Sequence, residues 1–275
     1  MTIKNLVIAL VDLMPIDLRN NIRNIPILKH LQAWILKTWL NNKEFIATIS
    51  SGPAKGLVFV VHMPQDKLIW LGTFELNFAK TLQQQIQPGW VCYDIGGYKG
   101  YYAGIMALRG AKKVFVFEPM PTNASKISKL LELNASLPIR LKQMAISDTT
   151  GQTVFKIMPE ETMGKLEKSS FQPEDKGVSQ ITVDCNTIDD LIASGFPAPD
   201  FIKIDVEGAE EFVLKGAIHL LASKKPVLMI EVHSPAIGKR CLTVLQRFYT
   251  SVLVLETGNS PEKNTPEICH YLATN

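Results

Sequence analysis

Along most of the chain, short apolar runs of about five residues alternate with longer stretches in which apolar residues recur every three or four positions. The runs Val91–Ile95, Lys113–Phe117, Arg140–Ile146, Asp200–Ile204, Val227–Glu231 and Ser251–Leu255 read as strands. Tyr101–Arg109, Thr122–Asn134, Ala209–Ala222 and Ile237–Tyr249 carry the helical period between them. Strands spaced by helices of this length predict βαβ units and a mostly parallel, twisted sheet with helices on both faces. Two features depart from the alternation. Thr153–Met158 and Gln180–Cys185 predict a β-hairpin insertion around a polar loop of residues 159–179, read as mobile, and Ile268–Leu272 predicts a last strand. The first third is less regular. Pro26–Leu40 predicts a helix with Leu28, Leu31, Ile35 and Trp39 on one face, and Leu57–His62 a buried strand. Phe74–Ile86 predicts a further helix, closed by Pro88-Gly89. This divides the chain into an N-terminal accessory segment, residues 1–75, and an α/β domain, residues 76–275.

Composition narrows the class without choosing a function. The 275 residues are 46% hydrophobic and 20% charged, ordinary for a globular chain. A net charge of +3 without a clustered basic stretch gives no reason to expect a nucleic-acid partner. The four cysteines form no metal-binding pair, so buried thiols in a reducing compartment are expected. Ile3–Leu13 is interrupted by Lys4 and Asp12 and reads as neither signal peptide nor membrane span. A cytoplasmic location is the expectation.

The chemistry gathers at strand ends. Asp94-Ile95-Gly96-Gly97-Tyr98-Lys99-Gly100 follows a predicted strand and precedes a helix, the position at which open α/β sheets bind ligands. Its glycines do not have the spacing of a dinucleotide turn or of a P-loop. An acid followed by a compact glycine turn suits a ligand without phosphate and with a positive end, such as S-adenosylmethionine. Glu118, 22 positions after Gly96, ends the next strand, where a carboxylate accepts hydrogen bonds from ribose hydroxyls. A third strand runs into Asp205, Glu207 and Glu210, three acids within six residues. Acids so close to a buried strand end call for a cation, a partner or water.

These motifs together resemble the FkbM-type family of S-adenosylmethionine-dependent methyltransferases, on a Rossmann-like methyltransferase fold. The resemblance runs from Gly72-Thr73-Phe74-Glu75 through the Asp94 turn, Phe117-Glu118-Pro119, Ala145-Ile146-Ser147-Asp148 and Thr187-Ile188-Asp189. It continues through Lys203–Glu210 and Leu214-Lys215-Gly216-Ala217 to Glu231-Val232-His233. It implies methyl transfer from S-adenosylmethionine to a hydroxyl of a sugar or natural-product-like small molecule. The cofactor would meet Glu75, Asp94, Gly96, Gly97, Tyr98, Glu118, Pro119, Ala145 and Asp205. Where the family has Gly-Ala-Asn after the first acid, this chain has Gly96-Gly97-Tyr98, so Tyr98 is expected to reshape the cofactor pocket.

Methyl transfer to an alcohol needs alignment and a base. Asp205, Glu231 and His233 are the catalytic candidates, with His233 the natural base because its ordinary pKa is near neutrality. A divalent cation, Mg²⁺ or Mn²⁺, on Asp205 and Glu231 is the less favoured route. Transfer to nitrogen, protein or RNA, and a non-catalytic binding role on the same fold, are the alternatives.

Overall fold

A computed structural model describes residues 42–158, 164–166, 169, 179–261 and 266–275. The expected helix at Pro26–Leu40, and most of the expected loop 159–179, lie outside the described residues. The chain forms two compact units, Met1–Lys80 and Thr81–Asn275.

In the first unit, β1 (Glu44–Thr48) and β2 (Val58–His62) pair antiparallel, from Glu44 opposite His62 to Thr48 opposite Val58. Alternation puts Phe45 and Ala47 inside. Helix α1 (Lys67–Trp70) brings Trp70 edge-on to Phe45, with ring centroids 5.2 Å apart. Helix α2 (Leu76–Gln85) follows, with its residues from Thr81 onward counted in the second unit.

The second unit is built on β3 (Val91–Ile95), β4 (Lys113–Phe117), β5 (Ile139–Lys142), β10 (Phe201–Ile204), β11 (Val227–Val232), β12 (Ser251–Val254) and β13 (Cys269–Thr274). Their order across the sheet is β12-β13-β11-β10-β3-β4-β5. The five strands from β5 to β11 are parallel, and β13 runs against both β11 and β12. Central β10 is buried at all four positions, as a strand covered on two faces must be. Leaving β3, the chain builds β4 and β5 to one side, then returns to place β10 on the other. The crevice between the ends of β3 and β10 is therefore the switch point of the sheet. Helices α3 (Tyr101–Leu108) and α4 (Pro121–Leu133) follow β3 and β4.

A second sheet, of order β6-β9-β7-β8, is formed by β6 (Ala145–Ile146), β7 (Gly151–Ile157), β8 (Gly164–Leu166) and β9 (Ser179–Asn186). The expected hairpin is the antiparallel pair of β7 and β9. The run Arg140–Ile146, expected as one strand, is divided. Ile139–Lys142 stays in the main sheet, and Ala145 and Ile146 leave it to pair with Cys185 and Asn186. Phe155, Leu166 and Val183 pack with Met120, Ala145 and Ala209, so this sheet stands over the ends of the main strands.

Three further helices complete the unit after α5 (Ile188–Ala193): α6 (Glu210–Lys215), α7 (Ile218–Ser223) and α8 (Pro235–Leu245). The single helix expected over Ala209–Ala222 is thus two. At the break, a Cβ on Gly216 would stand 2.0 Å from the Ser147 carbonyl oxygen, so backbone from the second sheet passes there. The Asp189 carboxylate accepts the His219 and Leu220 amides at 2.8 and 2.9 Å and caps the new helix. Cys92, Cys185, Cys241 and Cys269 are all buried, unbridged thiols, and burial pushes Cys92 up to about 12. Among the described residues, no helix is long and apolar enough to cross a membrane.

Candidate functional site

At the switch point lies a cavity of about 330 Å³. Its walls come from the turn after β3, the Glu118-Pro119-Met120 segment after β4, the second sheet, and the Asp205–Glu207 turn after β10.

The β3 turn is held by its neighbours. Gly96 and Gly97 both donate to the Phe117 carbonyl, at 2.9 and 3.3 Å. Gly96 lies at φ 77°, and a Cβ there would fall 1.7 Å from the Asp205 carbonyl oxygen. Glycine is therefore required where the two strand-end turns touch, and not only where a ligand approaches. Gly97 has a parallel role against β4, since its Cβ would fall 2.1 Å from Val116 Cγ1.

Beneath the turn, Lys203 is 2% exposed, and its Nζ donates to the Gly96 carbonyl at 2.8 Å. The same ammonium lies 3.2 Å from Asp205 Oδ2 and 3.4 Å from Asp94 Oδ1. Burial works against its charge, but Asp205, Asp94 and Glu231 more than offset this and hold its pKa above the usual range for lysine. Asp94 is wholly buried and does not line the cavity. It stands behind the turn as a counter-ion for Lys203.

Glu118 does line the cavity. Its Oε2 accepts the Tyr98 amide at 2.9 Å and its Oε1 the Met120 amide at 3.0 Å. A carboxylate offers about four acceptor positions, so capacity remains for ligand hydroxyls. Burial pushes the Glu118 carboxyl up to about 7, against the pull of the Met120 and Tyr98 amides and the Asn123 side chain. Tyr98 is half-buried at φ 49°, and it too lines the cavity. The Lys99 and Lys126 ammoniums lie 5.0 and 5.8 Å from its ring centroid. Lys99, though adjacent in sequence, is not part of the cavity wall.

Beyond Asp205, four carboxylates surround one imidazole. His233 Nδ1 lies 2.8 Å from Glu210 Oε1. His233 Nε2 lies 3.3 Å from Glu207, 3.7 Å from Asp205 and 3.8 Å from Glu231. Burial disfavours the imidazolium, but the Glu210 hydrogen bond and these carboxylates push His233 up to about 9. The surrounding carboxylates thus favour the protonated ring, in contrast to the ordinary histidine pKa expected from the sequence. Glu207, which lines the cavity at φ 51°, is pushed up to about 7, first by burial and then by its acidic neighbours against the pull of His233.

Of the residues expected at the site, Gly96, Tyr98, Glu118, Pro119, Ala145 and Asp205 line this cavity. Asp94 and Gly97 support its floor, Glu231 and His233 join the acidic ring beside it, and Glu75 belongs to the first unit. Sequence reading assigned no role in the site to Glu207, although the acidic run had drawn attention to it. Phe155 and Leu166 gave no signal, because the folding of distant segments brings them to the wall, and Asn123, five residues after Glu118, was passed over.

A parallel sheet with one reversed strand, and an acid-lined crevice at its switch point, form the framework of the Rossmann-like methyltransferase fold. The chain matches the Methyltransferase FkbM domain over residues 94–269, well over half its length, and belongs to that family. The match begins at Asp94, so Gly72–Glu75 and Pro88-Gly89 lie outside it. The chain is 28% identical over 209 residues to the hexuronic acid methyltransferase AglP of Haloferax volcanii, covering 74% of this chain and 81% of that one. Among solved structures it is similar to a methyltransferase FkbM from Methylobacillus flagellatus, at 19% identity and a TM-score of 0.46. That match covers 75% of this chain and 55% of the other. A further likeness is to the 16S rRNA N2 G1207 methyltransferase of T. thermophilus, at 14% identity and a TM-score of 0.45, over 84% of this chain and 50% of that one. The chain spans about half the length of each of these two structures.

Proposed function

We propose that the protein transfers the methyl group of S-adenosylmethionine to a hydroxyl oxygen of a sugar acid. The observation that carries this reading is the cavity itself. The buried Glu118 carboxylate forms one part of its wall, and the Asp205–Glu207 turn another. Its volume falls in the range of about 300–1,000 Å³ usual for small-ligand sites. Glu118 suits ribose hydroxyls, the Gly96 turn the amino-acid end, and Asp205 the region of the sulfonium. The relative that acts on a hexuronic acid supports the acceptor class.

In the reaction the S–CH₃ bond breaks as the O–CH₃ bond forms. The electron pair stays on sulfur, giving S-adenosylhomocysteine, and the hydroxyl proton leaves to a base. Asp205, Glu231 and His233 form the activating group, and Glu207 joins them. The hydroxyl proton passes to this group.

The test is incubation with methyl-labelled S-adenosylmethionine and a panel of hexuronic acids, neutral sugars and amines, with products read by mass spectrometry. Methyl ethers of hexuronic acids are the expected products. Methylation confined to amines would overturn the reading of the acceptor. Failure to bind S-adenosylhomocysteine in calorimetry would overturn the cofactor.

A further inference from the structure

Three side chains in the acidic ring present one atom each to a common point and have the other atom held from behind. Asp205 turns Oδ2 to Lys203 Nζ at 3.2 Å, while Oδ1 lies 3.7 Å from His233 Nε2. Glu231 has Oε2 at 3.8 Å from His270 Nε2, while Oε1 lies 3.8 Å from His233 Nε2. His270 is in turn fixed by Glu256, with Nδ1 2.5 Å from Oε1. His233 directs Nδ1 to Glu210 at 2.8 Å, which leaves Nε2 on the convergent side, where an ion would take the place of the ring's second proton. The three inward atoms all lie within 4.8 Å of one another. Cis ligands of a divalent ion with bonds of about 2.1 Å stand roughly 3 to 3.5 Å apart. The cluster thus needs only a small contraction to close on an ion.

Two further groups favour a cation at this point. Glu207 Oε2 is buried, has no hydrogen-bond partner among the described residues, and lies 3.3 Å from the same His233 nitrogen. Glu210 is wholly buried, and its Oε2 has no hydrogen-bond partner among the described residues. A histidine whose far nitrogen is held by a buried carboxylate, with its ligand carboxylates also held from behind, is the outer shell that orients metal ligands. One imidazole and two carboxylates suit Mn²⁺ or Mg²⁺, with water or substrate oxygen completing the coordination.

We propose that Asp205, Glu231 and His233 form a binding site for one divalent cation of the Mg²⁺ or Mn²⁺ type, beside the cavity. This deepens the methyltransferase reading and rests on it only for its purpose. Asp205 lines the cavity, so the ion would stand where an acceptor enters. It would attract an acceptor oxygen and ease loss of its proton to water. It would also cancel the repulsion between these carboxylates and a sugar acid.

The test is direct binding of Mn²⁺ to the full chain after chelator dialysis, followed by electron paramagnetic resonance without cofactor or acceptor. One ion per chain is expected, displaced by excess Mg²⁺. Asp205→Asn, Glu231→Gln and His233→Ala should each weaken binding at least tenfold. Glu210→Gln, which leaves all three ligands in place, should weaken it about 10- to 100-fold. The exposed Glu132→Gln control should bind as the parent does. A cooperative thermal transition shows that each variant is folded. Absence of stoichiometric Mn²⁺ binding to the parent overturns the proposal, as does binding that all four cluster variants leave intact. Neither result depends on methyl transfer, so a wrong acceptor assignment would leave the ion-binding result unchanged.

Discussion

Lys203 Nζ donates a 2.8 Å hydrogen bond to the Gly96 carbonyl and so joins β10 to the turn that follows β3. The two residues are 107 positions apart in sequence. The ammonium also compensates Asp94 and Asp205 in a site almost closed to water. Lys203→Met would leave both carboxylates without their counter-ion. Removing one partner of a buried ion pair costs about 3 to 5 kcal/mol. Urea unfolding should register a loss of this size, with weaker S-adenosylhomocysteine binding in the fraction that stays folded. A variant as stable as the parent would show that the carboxylates do not depend on Lys203.

Glu118 carries a pH dependence whose sign follows from its environment. Burial raises its carboxyl from the ordinary value to about 7. Ribose hydroxyls donate hydrogen bonds, so the ligand favours the ionised form and binding expels a proton from any protonated fraction. Affinity for S-adenosylhomocysteine should therefore rise from pH 6 to pH 8 and level off above about 7. Calorimetry in two buffers of different ionisation enthalpy should detect the released proton. Glu118→Gln should abolish this release and weaken binding by roughly 1 to 3 kcal/mol. For the free protein the sign is opposite. An acid raised in the folded state contributes stability below its unfolded pKa, and that contribution is lost as pH rises to about 7.

Tyr98 occupies the left-handed region at φ 49° and lines the cavity beside Glu118. An ordinary side chain there costs roughly 1 to 2 kcal/mol, and asparagine tolerates the conformation better. Tyr98→Asn should raise stability by up to about 1 kcal/mol in urea unfolding, and it should enlarge the cavity. Tighter binding of S-adenosylhomocysteine is the expected consequence. Affinity identical to that of the parent would mean that the ring does not restrict the cofactor.

Some of this site was legible in the sequence because its causes are local. The five-residue apolar runs of β3, β4 and β10 mark buried parallel strands, and the residues that follow them, Gly96, Glu118 and Asp205, must then stand at strand ends. The same local order of motifs identified the family. Tertiary structure alone decided which strand ends meet. Gly96 is needed because Asp205 backbone passes 1.7 Å from where its Cβ would be, a contact that exists only once β10 lies beside β3. The helix expected over Ala209–Ala222 breaks at Gly216 because Ser147 crosses it and Asp189 caps the next turn, neither of which is near in sequence. His233 looked like a neutral base, since its type and position are sequence properties. Its charge is not one, because it depends on Coulomb interactions with Asp205, Glu207 and Glu210 beyond β10 and with Glu231 on β11, which only the folded chain brings within 4 Å of the ring.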